Sequence, residues 1–376
     1  MKIVVSPDSF KESLTAQQIC GIIEEEIVRL RPDVIVKKVP LADGGEGTSV
    51  ILTEALQGEF MYANVRGPLG ETVQAKYGFV QEQKLAIIEV AEACGLHLIS
   101  PGRRNPLEAS TFGVGELILH AVHNGAAQLI ICLGGSGTND GGVGMLQALG
   151  ANILDDRHKQ VGLGAKYLSA IQSVDLSTLD SRLKTCSIMV ACDVKNPLCG
   201  ENGASKVFGP QKGATEEMVA QLDKGLYHFA QVVERDCNLQ LLGIEGGGAA
   251  GGLGAALHLL GASMKPGIRL VMEKVCYAEQ ISDADLIITG EGRLDSQTAQ
   301  GKVIAGVLAE SEKLHKPVIA LCGKIENGYE VLFKQGLTAA FSICNGPQSL
   351  PEALGKAEEN LRVTVQNVIK LYISNL

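Results

Sequence analysis

The chain has 376 residues, is 45% hydrophobic and 20% charged, and carries a net charge of −9, 45 glycines, no tryptophan and only 4% aromatic side chains. That length exceeds one typical core, so two domains are expected. The acidic balance, without any Lys/Arg run, argues against a nucleic-acid or anionic-membrane surface, and the few aromatics argue against base stacking. The ten cysteines form no CxxC pair. Several, such as Cys132 and Cys322, sit in apolar runs and read as small buried hydrophobes in a reducing compartment. No run approaches the ~18 apolar residues of a membrane span, and Ile3-Val4-Val5 is too short for a signal peptide. A cytoplasmic protein that touches neither membrane nor nucleic acid is expected; the sequence leaves its oligomeric state open.

In chain order, "KIVV" (2–5) reads as a strand. Thr15, with Gln18 three residues on, forms a helix capping box, and Ile19, Ile22, Ile23, Ile27 and Leu30 line one face of a helix over 16–30. A second unit repeats the rhythm: "VIVKKV" (34–39), "PLADGGEGT", then a helix near 48–56. Two short β-α units in succession predict a parallel sheet. From 59 to 92 the pattern changes to strands joined by turns, which implies a different sheet and an inserted domain. It continues through a helix over 113–123, a strand over 128–133, "SIMVACD" (187–193) and a glycine burst at 245–261 that ends in a helix. Gly246 to Gly251 fits GxGxxG in spacing, but no βαβ unit surrounds it, and close helix packing is the expectation there. The α/β rhythm resumes with a strand over 284–290, a helix near 298–312, strands over 317–323 and 338–344, and a terminal helix over 349–376. The expected fold is α/β. A Rossmann/flavodoxin-like parallel-sheet domain (1–62 and 282–376) holds an inserted α/β domain with a mixed sheet (63–281), and the active-site cleft is expected between them.

Polar residues cluster after the carboxyl ends of the predicted parallel strands. They are Ser6, Asp8, Ser9 and Lys11; Asp43, Gly44, Gly45 and Glu46; Glu291, Arg293, Asp295 and Ser296; and Gly323 and Lys324. In an open parallel sheet these loops emerge at one edge, where ligands bind. The loop "GGSGTNDGG" (Gly134, Gly135, Ser136, Gly137, Thr138, Asn139, Asp140 and onward) follows an apolar strand and leads into a helix. Such a turn is suited to directing N–H groups and a helix N-terminus at a phosphate or carboxylate. Asp193 ends the apolar run "IMVAC", where a carboxylate is expected only at the edge of a site. There is no GxxxxGK[ST], HExxH, GxSxG, HRD or DFG.

At "SPDSFKESLTA", "PLADGGEGT", "GGSGTNDGGVG" and "TGEGRLDSQTAQGK" the chain resembles the bacterial glycerate kinases, a two-domain family of glyoxylate and aldarate catabolism, along essentially its whole length. The resemblance implies ATP-dependent phosphorylation of D-glycerate, at the 2-hydroxyl rather than the 3-hydroxyl, with Mg²⁺ bridging phosphate oxygens. On that basis Asp43 or Asp193 orients or deprotonates the acceptor hydroxyl, and Lys11 stabilises the transferring phosphoryl group. The 134–140 loop cradles one anion, while Glu291, Arg293 and Asp295 complete the other side. Arg66 and Arg293 are the candidates for the glycerate carboxylate. No metal ligands are assigned. Two alternatives remain at this stage: a kinase for another small hydroxy acid, and a non-catalytic sugar-acid or nucleotide sensor.

Overall fold

The computed structural model describes residues 1–296, 298 and 301–373. In chain order its strands are β1 (Lys2–Val5), β2 (Ile35–Lys38), β3 (Glu59–Arg66), β4 (Thr72–Val80), β5 (Leu85–Glu89), β6 (Gln128–Cys132), β7 (Asn152–Leu154), β8 (Ser173–Asp175), β9 (Ser187–Ala191), β10 (Ser263–Lys265), β11 (Leu286–Leu294), β12 (Val318–Ile325) and β13 (Leu337–Ser342). Contacts divide the chain into two compact units, Met1–Asp43 with Ile268–Leu376, and Gly44–Gly267.

The first unit is built on a five-stranded sheet of order β13-β12-β11-β1-β2 in which every pair is parallel. Renumbered within the unit, the order is 2-1-3-4-5, the flavodoxin-like doubly wound arrangement, and its switch point falls between β1 and β11. Ile3 to Val5, Leu286 to Ile288 and Val318 to Cys322 are buried without interruption, as central parallel strands covered on both faces require. The helix Ala16–Leu30 opens at Thr15 with the expected capping box to Gln18. Its Ile19, Ile22, Ile23 and Ile27 share one core cluster with Leu361, Val365, Val368 and Ile369 of the helix Ala357–Ile373. Each such side chain contributes roughly 1.5–3 kcal/mol of hydrophobic stabilisation. The terminal helix is not the single run expected. It breaks after Gly355 into Leu350–Gly355 and Ala357–Ile373, because glycine is the poorest helix former after proline.

The second unit carries a six-stranded mixed sheet of order β10-β9-β6-β5-β4-β3 and a separate antiparallel pair, β7-β8. β5, β6, β9 and β10 run parallel, while β4 is antiparallel to both its neighbours. The carboxyl ends of β3, β5, β6, β9 and β10 therefore share one sheet edge. The helix Thr48–Ala55, which the sequence pattern grouped with the first domain, packs on this second sheet. Gly78 makes room for it, since a Cβ there would lie 1.7 Å from Thr53 Oγ1. Ser49 N donates to Glu89 Oε1 at 2.7 Å. Pairing of β3 with β4 along eight residues draws the preceding helix to that side, so the junctions fall at 43/44 and 267/268 instead of 62/63 and 281/282. Among the described residues no helix is long and apolar enough to cross a membrane. Cys132 and Cys322 are buried free thiols, as their apolar runs imply.

Candidate active site

In the first unit the sheet extends past β1 and carries its loop onto β11. Ser6 N donates to Ile288 O at 2.7 Å, Asp8 N donates to Gly290 O at 2.8 Å, and Thr289 Oγ1 donates to Ser6 O at 2.8 Å. After β2, Val39 N reaches Val5 O and Leu41 N reaches Pro7 O at 3.0 Å, which brings the Ala42-Asp43 segment alongside. Gly290 cannot be larger, because a Cβ would stand 2.1 Å from Leu321 O. The next residue is Glu291, only 6% exposed. Asp8, Asp43 and Glu291 thus converge at the switch point of the sheet, where a doubly wound fold places its ligand.

Two of them, Asp8 and Glu291, sit where burial disfavours charge. Burial pushes the Asp8 carboxyl up to about 7, the neighbouring Asp43 and Glu291 add to the rise, and the Ser9 donors on Asp8 Oδ1 (N at 2.6 Å, Oγ at 3.4 Å) oppose it. Burial also raises Glu291 to about 7, against the Thr298 hydroxyl that donates to its Oε1 and the Lys302 charge. Two carboxyls poised near neutrality beside a third acid are the environment of a functional site more often than of a structural one. Among the described residues no group of three or more His, Cys, Asp or Glu is arranged to hold a metal ion alone. Mg²⁺, however, takes one or two protein carboxylates and fills its octahedron with water and phosphate oxygens. Hard carboxylates fit that mode.

The remaining candidates of this unit lie near or beside the trio. Lys11 is exposed on the Asp8 loop, and its backbone N would be 3.3 Å from a Cβ on Gly292. Arg293 pairs with Asp295 at 3.2 Å and with Glu326, and Lys324 pairs with Glu326 at 2.6 Å. These ion pairs follow from the register, which sets Arg293 opposite Lys324 on β11 and β12. Gln297, next to Ser296 in the same loop, lies outside the described residues.

In the second unit, backbone packing explains the glycines of the 134–140 loop. A Cβ on Gly134 would sit 2.6 Å from Gly45 Cα, and one on Gly44 would meet Ala191 Cβ at 3.0 Å and Gly267 Cα at 3.2 Å. The loops after β6, β9 and β10 and the Gly44–Gly47 turn are therefore gathered at one place, with exposed Glu46 and Asp193 there as well. Asp193 Oδ1 accepts from Gly267 N at 2.8 Å. The polar side chains of the loop turn inward. Thr138, Asn139 and Asp140 are at most 1% exposed. Asp140 accepts from Thr111 N (2.8 Å), Thr111 Oγ1 (2.9 Å), Gly142 N (3.2 Å) and Gly144 N (3.3 Å), so the start of the helix Val143–Ala148 already has an internal anion. The expectation that this helix start serves a ligand is corrected accordingly: a nearby Asp satisfies its free N–H groups. Asn139 Nδ2 donates to Ser205 Oγ at 2.9 Å. The Gly246–Gly252 burst packs as expected, since a Cβ on Gly251 would be 2.1 Å from Thr138 O.

Arg66, a candidate for the substrate carboxylate, ends the outermost strand β3 and already has protein partners. Its guanidinium lies 4.4 Å from the Phe112 ring centroid and 3.7 Å from Glu116 Oε1. Three residues escaped the sequence reading. Glu89 receives the start of the helix Thr48–Ala55. Lys212, 2% exposed, donates from Nζ to Thr138 O at 2.6 Å and Ser136 Oγ at 3.2 Å, and burial pushes its ammonium down to about 8. Arg104 Nε is buried with no hydrogen-bond partner. The only signal for Lys212 was its place in the turn Gly209-Pro210-Gln211-Lys212-Gly213.

A doubly wound sheet with acids at its switch point, together with a second α/β unit of glycine-packed loops, is the build of an α/β enzyme for small charged molecules. The family model for the glycerate kinase family matches residues 3–373. The chain is 48% identical to a glycerate kinase of Haemophilus influenzae over 99% of its own length and 98% of the relative's. It is 46% identical to the glycerate 2-kinase of Escherichia coli K12 over 98% and 97% of the two chains. A crystal structure from Salmonella typhimurium LT2, bearing the provisional name glycerate kinase 2, superposes with a TM-score of 0.88 at 46% identity, covering 100% of this chain and 99% of that one. The chain belongs to the glycerate kinase family. A kinase family implies a nucleotide phosphoryl donor and, here, a small-molecule acceptor.

Proposed function

We propose that the chain transfers the γ-phosphoryl group of ATP to the 2-hydroxyl of D-glycerate, giving 2-phospho-D-glycerate and ADP, as a cytoplasmic step of glyoxylate and aldarate catabolism. The observation that carries this reading is the Asp8, Asp43 and Glu291 trio at the switch point. The name of the Escherichia coli relative, glycerate 2-kinase, supports the position of transfer. Phosphoryl transfer needs little covalent help and much positioning and charge neutralisation. Mg²⁺ bound with the nucleotide would supply that neutralisation, and Asp8 and Glu291 are the residues that would hold it.

Asp43 orients the acceptor hydroxyl and takes its proton as the oxygen bonds to the γ-phosphorus and the bond to the β,γ-bridging oxygen breaks. Lys11, on the Asp8 loop, meets charge on the phosphoryl group in transit. Asp193 is the second candidate for the base, although one of its oxygens is held by Gly267 N. Glutamate and lysine side chains here need no unusual chemistry, only placement. The test is an assay of the purified chain with ATP, Mg²⁺ and D-glycerate, the product being resolved by phosphorus NMR. 2-Phosphoglycerate is expected; 3-phosphoglycerate would overturn the position, and no turnover would overturn the reaction.

A further inference from the structure

Two cations of the second unit, Arg104 and Lys212, bury polar nitrogens without an ion pair to any carboxylate among the described residues. Segment 94–104 runs along the glycine loop: Leu96 N donates to Gly135 O at 2.8 Å, Gly137 N donates to Cys94 O at 2.8 Å, and a Cβ on Gly137 would meet Ile99 at 3.1 Å. The segment ends in the turn Pro101–Arg103 and then Arg104. On Arg104 rests Gly213, whose Cβ would stand 2.6 Å from Arg104 O and 2.8 Å from its Cβ. Lys212, the residue before, reaches back to Thr138 O and Ser136 Oγ. Three segments are thus knitted into one wall. The partners of the Lys212 ammonium are neutral oxygens. Asp140, the carboxyl whose field reaches it, already accepts from four donors. Among the described residues the Arg104 guanidinium has neither ion pair nor hydrogen bond, and its buried Nε–H is an orphan donor. Natural structures rarely leave such a donor unmatched, and an arginine fork matches a carboxylate in both geometry and charge.

We propose that Arg104 binds the carboxylate of the hydroxy-acid acceptor, with the buried Lys212 ammonium supplying the field behind the 135–138 loop. This assignment rests on the reading of the chain as a kinase of a small hydroxy acid. It takes the place of Arg66 and Arg293, whose guanidinium groups already face Glu116 and, for Arg293, Asp295 and Glu326.

The test compares D-glycerate with its uncharged amide, D-glyceramide, in the parent chain and in Arg104→Met and Arg104→Lys. Loss of a charge-assisted fork is expected to lower kcat/KM for D-glycerate by about 10–100-fold, chiefly through KM. The KM for ATP and the turnover of D-glyceramide should stay within threefold, and Arg104→Lys should fall between. The preference for the charged acceptor then collapses in Arg104→Met, a result that a merely structural arginine would not give. An equal loss on both acceptors would overturn the proposal, as would a rise in the KM for ATP alone, which would make the bound anion a nucleotide phosphate. Calorimetric binding of D-glycerate without nucleotide separates this proposal from the reaction. If the parent binds but does not turn over, and Arg104→Met abolishes binding, the kinase reading falls and the Arg104 site stands.

Discussion

The acidic trio predicts an inverse relation between stability and activity at Asp8. In an unfolded chain an Asp titrates near ~3.9, whereas in the folded chain Asp8 is held up to about 7, first by burial and then by Asp43 and Glu291. A carboxyl raised in this way contributes most to stability below its unfolded pKa, and that contribution is lost as pH rises through the folded value. The interval between ~3.9 and about 7 corresponds to a ceiling of ~4 kcal/mol at 1.36 kcal/mol per unit. Asp8 is only half-buried, so water relaxes part of the strain, and about 1–3 kcal/mol is expected. Asn keeps the shape and can still accept from Ser9 N, but never ionises. Asp8→Asn should therefore match the parent below about pH 4, gain stability progressively between about pH 4 and 7, and keep the full gain above pH 7. The urea midpoint of the ligand-free protein, measured at pH 4.5, 6 and 8, reads this directly. The same variant should lose most of its turnover. A lower midpoint at pH 8, or the same change at every pH, would refute the reasoning.

Two further predictions concern the second unit. Gly251 has φ +71° and would place a Cβ 2.1 Å from Thr138 O, so Gly251→Ala should destabilise by ~3 kcal/mol or more; a thermal midpoint within 1 °C of the parent, on the scale of ~2–4 °C per kcal/mol, would sink the packing account. Asp140→Ala strands four buried donors and should cost about 3–5 kcal/mol, seen as loss of the cooperative unfolding transition at 37 °C, with Asp140→Asn intermediate; wild-type stability would show that the loop does not depend on it.

Much of this was legible in the sequence because the signals were local. Thr15 and Gln18 are three residues apart, and the Ile19, Ile22, Ile23 and Ile27 stripe has helical spacing, so the first helix could be placed to the residue. Asp8, Asp43 and Glu291 could be singled out because each follows an apolar strand, and parallel strands share a carboxyl edge. The domain junctions were not legible, since what assigns the helix Thr48–Ala55 is contact with Gly78 and Glu89, far along the chain. Nor could the sequence separate an Asp that feeds its own helix, as Asp140 does, from one that waits for a ligand, because both favour the same Gly-rich turn. Lys212 and Arg104 were hard to read for the opposite reason: lysine and arginine are solvated by default, and a glycine turn such as the one holding Lys212 does not by itself mark a buried ammonium.

The claim on which the rest depends is that the acids at the first sheet's switch point perform the transfer. Single-turnover phosphorylation of D-glycerate by Asp43→Asn, at saturating ATP and Mg²⁺, tests it most directly. Loss of a positioned base should slow the chemical step by about 10²–10⁴-fold while the thermal midpoint stays near that of the parent. A rate within threefold of the parent would contradict the account.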